Sequence, residues 1–336
     1  MNLNKSESQF PLTLIGFCMI IIEFISCNPK KKFSTVKPSR DSTSYSENLN
    51  YKAINEKFNL DTISMLSIKT ESLEDVAIRL AREFKATAPS LSIGSRKYYI
   101  VEGDIRLDGA ELYLYCQQRL QNLDTNVTER KNAGKLTVGT DLSGNPTIWP
   151  RGTIIRYSIM RNSFETKSYY NKVVRNVSAA ASDWMKTCNV RFEYVSKYDN
   201  SDIDLEDDTI TNLTFIVREI NANGNFIAQS FFPGDPPYKR MLLIDPSYFR
   251  TSFDSTGVFR HELGHVLGYR HEHIWSLENA CKGESIIEDQ LGAQQLTKYD
   301  PYSVMHYLCG NSGSSKLEIT EFDRIGSIKI YGPPIK

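Results

Sequence analysis

Residues 261–271 read His-Glu-Leu-Gly-His-Val-Leu-Gly-Tyr-Arg-His, which is the pattern H-E-x-x-H-x-x-G-x-x-H. Histidines four positions apart lie on one face of a helix, so His261 and His265 can reach a single metal ion. Gly268 can end that helix in a left-handed conformation, and the turn lets His271 supply a third ligand. Three protein ligands leave a fourth position open, which is typical of a catalytic zinc site rather than a structural one.

Glu262 directly follows the first histidine, so it lies beside the metal and can accept a proton from an attacking water molecule. A bare H-E-x-x-H can occur by chance on an amphipathic helix. Here, however, four of the five histidines of the chain fall between residues 261 and 273, and a solvated helix face does not explain this clustering. The pattern therefore predicts one catalytic zinc ion per chain, with Glu262 as the general base.

A second motif, Tyr-Asp-Pro-Tyr-Ser-Val-Met-His-Tyr, occupies residues 299–307. Together the two motifs resemble those of the metzincin metalloproteases, and among them those of the astacins. The resemblance implies that Met305 forms a hydrophobic floor beneath the zinc, although methionine also fills ordinary gaps in a core. It implies that Tyr307 is a reversible zinc ligand that stabilises the oxyanion of the transition state. Glu272 matches the glutamate that follows the third ligand in astacins.

The resemblance covers about residues 145–334, where the order of predicted elements matches an astacin catalytic domain. It implies an α+β, two-lobed protease domain with a twisted mixed sheet, a zinc helix, a Met-turn and a C-terminal helix. Residues 228–235, Ala-Gln-Ser-Phe-Phe-Pro-Gly-Asp, are instead similar to the matrixins, so a matrixin-like metzincin remains an alternative. The patterns predict strands at 153–159, 190–195, 213–217, 227–232 and 241–244 and helices at 167–186, 256–269 and 320–330.

The N-terminal part of the sequence has the pattern of an export signal. Residues 12–25 form a short apolar run, and Ile-Ser-Cys at residues 25–27 resembles a bacterial lipoprotein cleavage site with Cys27 as the lipidated residue. A plain secretory signal peptide over residues 1–27 is the alternative. Residues 28–50 are rich in Ser, Thr, Lys and Pro and predict a flexible tether. The chain is therefore expected to be exported, and either secreted or anchored to the cell envelope.

Residues 51–121 are expected to form a small pro-segment that precedes the protease domain. An exposed linker is predicted at 122–144, with the activation site near its basic residues Arg130, Lys131 and Lys135. A capping box at residues 72–75 and the patterns that follow predict helices at 73–85 and 110–120 and a strand at 97–101.

A short motif in the predicted pro-segment indicates how the enzyme could be kept inactive. Residues 101–105, Val-Glu-Gly-Asp-Ile, resemble the part of astacin propeptides whose aspartate occupies the open zinc position. The resemblance implies that Asp104 is a latency switch. An ordinary Gly-Asp turn between strands is the alternative, and Cys116 is a rival switch because a thiolate also binds zinc.

These patterns predict a zinc metalloendopeptidase that is made as a zymogen and acts on proteins or peptides. Lys+Arg and Asp+Glu number 40 each, so the zero net charge gives no indication of a nucleic-acid partner. Membrane contact is expected only through the lipid anchor, and the enzyme is expected to be a monomer that needs an activating protease. A non-catalytic zinc-containing adhesin is a rival function, and Glu262 argues against it because a binding protein needs no general base.

We expect a disulfide between Cys281, which follows the zinc helix, and Cys309, which follows the Met-turn, because the two flanking segments meet at the metal. Such a bond would stabilise an exported protein by about 3 kcal/mol, mainly by restricting the unfolded chain. Peptide mapping without reduction should recover the crosslinked pair. Two free thiols, or a bond from Cys188 to either residue, would contradict this pairing.

Overall fold

A computed structural model describes residues 72–124, 136–139, 145–205, 212–275, 293–308 and 312–335. Within these ranges the chain forms an N-terminal module of residues 72–124 and a C-terminal module that begins at residue 136. The α-helices are α1 (Leu73–Thr87), α2 (Gly109–Asp124), α3 (Lys167–Thr187), α4 (Ser255–Val266) and α5 (Glu321–Tyr331). The strands are β1 (Ser90–Ile93), β2 (Arg96–Val101), β3 (Ile105–Leu107), β4 (Thr137–Gly139), β5 (Ile154–Ile159), β6 (Arg191–Tyr194), β7 (Phe215–Glu219), β8 (Ala228–Gln229), β9 (Met241–Ile244), β10 (Tyr269–Arg270) and β11 (Ala293–Gln295).

The central sheet of the C-terminal module contains five strands in the order β6-β5-β7-β9-β8. The first four run parallel, and β8 is antiparallel to β9 at one edge. Parallel strands covered on both faces read as continuous apolar runs, and β9, Met-Leu-Leu-Ile, is buried at all four positions. As the antiparallel edge strand, β8 has one side that can form main-chain hydrogen bonds with an extended peptide.

Helices α3 and α4 pack against each other and against the central sheet, and they enclose the main core. The apolar residues of α3 follow helical spacing and are buried, among them Val173, Val177 and Ala181, as the periodicity predicts. Trp184 is fully buried, and its indole Nε1 donates a hydrogen bond to the Arg260 carbonyl of α4 at 2.9 Å. A buried indole N–H needs such a partner, so this contact fixes the long helix to the zinc helix.

The prediction of an exposed linker at residues 122–144 is corrected at both of its described ends. Helix α2 extends to Asp124, and β4 is the central strand of a second sheet in the order β10-β4-β11. Leu136 and Val138 are buried. The partners of β4 lie far along the chain, so no local pattern of the sequence reveals it. The basic residues at 130, 131 and 135 lie outside the described residues.

The zinc helix ends at Val266 rather than at the predicted Tyr269. Gly268 has a φ of 97°, and an added Cβ there would lie 2.6 Å from the Thr147 carbonyl oxygen. Both the backbone conformation and the close approach therefore require glycine. The chain then reverses into β10, which pairs with β4.

The predicted edge strand at 227–232 is likewise shortened to β8, because the chain turns between Phe232 and Asp235.

The N-terminal module is an antiparallel sheet, β1-β2-β3, packed on α1 and α2. Ser72 caps α1, because its Oγ accepts a hydrogen bond from the Asp75 N–H at 3.1 Å, and the predicted helix start is confirmed. Leu91 and Ile100 of the small sheet form one apolar cluster with residues of the central sheet, including Ile216. This packing fixes the β2–β3 hairpin relative to the C-terminal module.

The C-terminal helix α5 begins with a capping box in which Thr320 Oγ1 accepts from the Asp323 N–H and Asp323 accepts from the Thr320 N–H. The buried carboxylate of Asp323 also accepts hydrogen bonds from Ser303 Oγ at 2.6 Å and from the Val304 N–H at 2.9 Å. One side chain therefore caps α5 and holds the turn before Met305.

The elements together confirm the predicted α+β class. No helix of the described residues is long and apolar enough to span a membrane.

Candidate active site

Helix α4 presents His261 and His265 on one face. The Nδ1 of His261 donates to the Val304 carbonyl at 2.7 Å, and the Nδ1 of His265 donates to the Tyr269 carbonyl at 2.8 Å. Only a protonated nitrogen can donate to a carbonyl, so Nε2 carries the lone pair in each neutral ring. Both imidazoles are therefore held in the tautomer and orientation in which Nε2 can bind a metal.

Two further residues complete what we call the zinc cluster: Asp104, His261, His265 and His271. The Nε2 of His271 lies 3.1 Å from that of His265. The carboxylate of Asp104 lies 3.2 Å from His271 Nε2 and 3.4 Å from His261 Nε2, and all four ligand atoms lie within 4.8 Å of one another. Tetrahedral ligands about 2.0–2.1 Å from a zinc ion are about 3.3 Å apart, so the spacing of the cluster fits zinc.

The burial and charge of the zinc cluster also fit a cation. His261 Nε2 and Asp104 Oδ1 are buried and have no hydrogen-bond partner among the described residues, which is costly unless a ligand binds them. Burial opposes protonation of His271, but the carboxylates of Asp104 and Glu102 raise its pKa to about 10. Burial also opposes ionisation of Asp104, yet the histidines hold the pKa of its carboxyl well below the usual value. The cluster therefore favours positive charge at its centre.

Glu262 lies beside the first histidine on α4 and is 3% exposed. Its Oε2 has no hydrogen-bond partner in the part of the chain that the structure describes, so this oxygen can accept a proton. Burial and the negative charge of Asp104 raise the pKa of Glu262 well above its usual value. A buried carboxylate in this position is suited to general acid–base chemistry at the zinc cluster.

Met305 lies against α4 and is fully buried. A Cβ added at Gly264 would overlap with the Met305 sulfur, so the helix and the turn are in close contact. Ser303 Oγ accepts a hydrogen bond from the Met305 N–H at 3.0 Å, and the Met305 carbonyl accepts one from the Glu272 N–H at 2.9 Å. The carboxylate of Glu272 also accepts from the Asp300 N–H at 3.0 Å, so this residue links the third ligand to the turn.

Tyr307 lies beside His261 and His271, with ring centroids 5.7 Å and 4.5 Å away. Its hydroxyl donates to the Glu102 carbonyl of the N-terminal module at 2.8 Å. A Cβ added at Gly103 would lie 3.1 Å from this hydroxyl, and Gly103 has a φ of 83°. Glycine at 103 therefore lets the β2–β3 hairpin approach the tyrosine closely.

The β2–β3 hairpin carries two charged residues that the sequence analysis missed. Glu102 is buried and pairs with Arg270, whose Nη2 lies 3.1 Å and 3.2 Å from the two carboxylate oxygens. Burial opposes its ionisation, but Arg270 and His271 hold the pKa of Glu102 below its usual value. Arg106 is 2% exposed. Charged residues at every second position of a β-rich stretch, 102, 104 and 106, are the signal that could have revealed both.

Cys116, the rival of Asp104 as latency switch, lies in α2 within the apolar core of the N-terminal module. It is fully buried there and is not a member of the zinc cluster. The structure therefore brings Asp104, and not Cys116, to the histidines.

Cys188 is a buried free thiol, and burial raises its pKa to about 12. The other cysteines with predicted roles lie outside the described residues: Cys27, Cys281 and Cys309.

A family comparison agrees with this geometry. The model of the matrixin family of peptidases matches residues 148–277, which include the central sheet, α4 and all three histidines. The fold and the site define a zinc-dependent peptidase. Residues 148–277 are therefore similar to the matrixin peptidases, and the chain is a zinc metallopeptidase.

No curated protein matches the sequence. Among solved structures, the chain is similar to myroilysin, with 19% identity and a TM-score of 0.39 over 58% of this chain and 98% of that one. It is also similar to high choriolytic enzyme 1, a hatching enzyme zinc-protease from the medaka fish Oryzias latipes, with 16% identity and a TM-score of 0.34 over 56% and 95% of the two chains. The predicted zinc cofactor and peptidase class are confirmed by the family match, and the predicted metzincin clan agrees with it over residues 148–277. The matching family is the matrixins, which the sequence analysis gave as the alternative to the astacins. Membership of the astacin subfamily stays a prediction.

Replacement of Gly264 by alanine should destabilise the protein by about 1–3 kcal/mol, because the new methyl group overlaps with the Met305 sulfur. Helix propensity alone would give the opposite sign, since alanine stabilises a helix by about 0.5–1 kcal/mol relative to glycine. Urea unfolding of Gly264→Ala, Met305→Ala and the double variant should show that Met305→Ala relieves part of the clash. Simple additivity of the two effects would mean that the helix and the turn are not in tight contact.

Proposed function

We propose that this chain is the zymogen of a secreted or envelope-anchored metalloendopeptidase, and that its N-terminal module blocks the zinc site. The observation that carries the proposal is the position of Asp104, whose carboxylate lies 3.2–3.9 Å from the Nε2 atoms of His261, His265 and His271. A catalytic zinc site keeps one position open beside three protein ligands, and a carboxylate is a suitable fourth ligand. Asp104 would then fill the position that catalysis needs.

In the mature enzyme, His261, His265 and His271 would hold the zinc ion. Bound zinc supplies a Lewis acid that polarises the scissile carbonyl and makes water a nucleophile near neutral pH. Glu262 takes a proton from the attacking water at Oε2, which is buried and has no partner among the described residues, and later passes it to the leaving amine.

The substrate would bind as an additional strand on β8, antiparallel to it, and would be held by main-chain hydrogen bonds. The β8 edge leads directly to the site, because the Phe232 ring lies 5.4 Å from the His265 ring. In the uncut chain, the Tyr307 hydroxyl donates a hydrogen bond to the Glu102 carbonyl. Departure of the hairpin would free that hydroxyl to donate to the oxyanion of the transition state.

Activation would require cleavage of the chain between the two modules. Helix α2 ends at Asp124 and β4 begins at Thr137, and polar connecting segments are preferred sites of proteolysis. We place the cut near Arg130, Lys131 and Lys135. Export is supported by the apolar run at 12–25, and a lipid anchor is supported by the Cys27 motif.

After processing, Glu262→Ala should keep one zinc ion per chain and lose peptidase activity by at least about 100-fold, because Glu262 is a base and not a ligand. Zinc content by atomic absorption and hydrolysis of an unstructured protein would measure the two properties. Glu321→Ala, on an exposed turn of α5, is the matched control and should retain both. Retained activity in Glu262→Ala would contradict the mechanism, and loss of zinc would show that Glu262 is needed to hold the site.

Replacement of Asp104 by alanine should give the uncut chain partial peptidase activity, because the fourth zinc position is then accessible. Some inhibition should persist, since the hairpin still obstructs the cleft. The assay uses chains in which the basic residues at 130, 131 and 135 are replaced, so that cleavage cannot account for any activity. Cys116→Ser in the same background is the control and should stay inactive.

The two variants separate three mechanisms of latency. Activity in Cys116→Ser but not in Asp104→Ala would support a thiol switch and contradict the role of Asp104. If neither variant gains activity over the uncut parent, the N-terminal module inhibits by steric obstruction alone.

A further inference from the structure

Arg106 is a charged side chain of the N-terminal module that is buried in the C-terminal module. Its Nη1 donates to the Ser230 carbonyl at 3.1 Å and to the Gln229 Oε1 at 3.2 Å. Its Nη2 donates to the Met241 carbonyl at 2.9 Å and to the Lys239 carbonyl. All four acceptors belong to the C-terminal module, and three of them are main-chain oxygens. We call this set of acceptors the arginine pocket.

The arginine pocket is held together by contacts within the C-terminal module. Gln229 lies on β8, whose pairing with β9 fixes the start of the pocket. The Asp235 carboxylate accepts from the Phe232 N–H at 2.8 Å and from Lys239 Nζ at 3.1 Å, and the Asp235 carbonyl accepts from Arg240 Nε at 2.8 Å. These bonds close the loop between β8 and β9. Lys239 Nζ also donates to the Glu111 carboxylate of α2 at 2.7 Å and 2.9 Å. Loss of the N-terminal module would remove this ion pair and leave the contacts within the C-terminal module.

The chemistry of the pocket selects a guanidinium group. Carbonyl and amide oxygens accept hydrogen bonds and cannot donate, and here they face two nitrogens of one planar fork. A lysine ammonium has a single nitrogen and cannot reach oxygens on both sides in this way. Arg106 is 2% exposed, and a buried cation is tolerated only where it is well hydrogen-bonded.

The pocket lies in the cleft near the zinc cluster. Arg106 is two residues from Asp104, so their backbones are at most about 7 Å apart along an extended chain. The pocket is also formed by the end of β8, the strand on which we propose that the substrate binds. A substrate residue within about three positions of the scissile bond could therefore place its side chain there.

We infer that the arginine pocket is a specificity subsite, which Arg106 fills in the uncut chain and an arginine side chain of the substrate fills in the mature enzyme. The inference rests on the proposed zymogen function, since the subsite opens only when the N-terminal module leaves. It gives the enzyme a substrate class: extended polypeptides with arginine at one fixed distance from the cleaved bond.

The existence of the pocket is tested on the full-length chain, with no need for activity. Arg106→Ala removes the atoms that N-ethylguanidinium contains, so millimolar N-ethylguanidinium should raise the melting temperature of this variant. Ethylammonium at equal concentration should not, because it lacks the planar fork. Arg156→Ala, which removes an arginine of a half-exposed ion pair with Glu193, is the matched control and should show no rescue. The absence of a specific rescue of Arg106→Ala would overturn the inference.

The role in specificity is tested on the processed enzyme. Peptides that differ only in carrying arginine, citrulline or lysine are compared at each of the three positions on either side of the scissile bond. Citrulline is the neutral near-isostere of arginine. At one position arginine should give a kcat/KM at least about tenfold above both analogues, because it alone satisfies every acceptor. Gln229→Leu should reduce this ratio, since it removes one acceptor at similar volume.

Each outcome supports or contradicts the inference. Rescue together with a positional preference supports it. If N-ethylguanidinium stabilises Arg106→Ala but no substrate position prefers arginine, the pocket only anchors the N-terminal module. The proposal of a specificity subsite is then wrong. If processing yields no peptidase activity, the zymogen proposal fails. Binding of the arginine peptide over the citrulline peptide to the processed chain, measured by fluorescence anisotropy, then decides the inference, and equal affinities would overturn it.

Discussion

The hydrogen bonds that lock the two helix histidines are the constraint on which the rest of the structure depends. His261 donates to the Val304 carbonyl and His265 to the Tyr269 carbonyl, so each ring offers only Nε2 to a metal. These carbonyls belong to the turn before Met305 and to β10. A shift of either segment would rotate an imidazole away from the common point. Strand β4 pairs with β10, and Asp323 at the start of α5 binds the Val304 N–H, so both elements serve this alignment.

The N-terminal hairpin inserts three charges into this frame, and each of them meets groups that compensate it. Glu102 pairs with Arg270, Asp104 enters the zinc cluster and Arg106 fills the arginine pocket. A buried charge costs several kcal/mol when it loses its partner. Partial withdrawal of the hairpin would leave such charges unpaired on both modules, so the hairpin is stable in the cleft only as a unit. On the proposed zymogen function, cleavage of the connecting chain would let the modules separate and would let water hydrate all of these groups.

Local patterns in the sequence predicted the parts of the site that lie close together along the chain. The histidine spacing and Gly268 were sufficient for the zinc ligands, because a helix and one turn bring them together. Five central strands and three helices of the C-terminal module were located for the same reason, although the zinc helix and the edge strand β8 were predicted too long. Strand β4 was missed, since its two partners are distant in sequence and each pairing involves only two or three residues. Arg106 was missed because its acceptors are mostly main-chain carbonyls, which any sequence could provide.

The same limitation explains why the β2–β3 hairpin reveals features of the cleft that the cleft's own sequence does not. Backbone oxygens of Ser230, Lys239 and Met241 leave no trace in residue identity, and their arrangement depends on how the β8–β9 loop folds. The burial of Arg106 reveals that arrangement, because a guanidinium stays buried only where several hydrogen-bond acceptors face it. Asp104 marks the centre of the zinc cluster in a similar way, since the buried histidines around it hold the pKa of its carboxyl well below the usual value. On the proposed zymogen function, the charged residues of the hairpin therefore contact the groups of the cleft that a substrate would contact after the hairpin leaves.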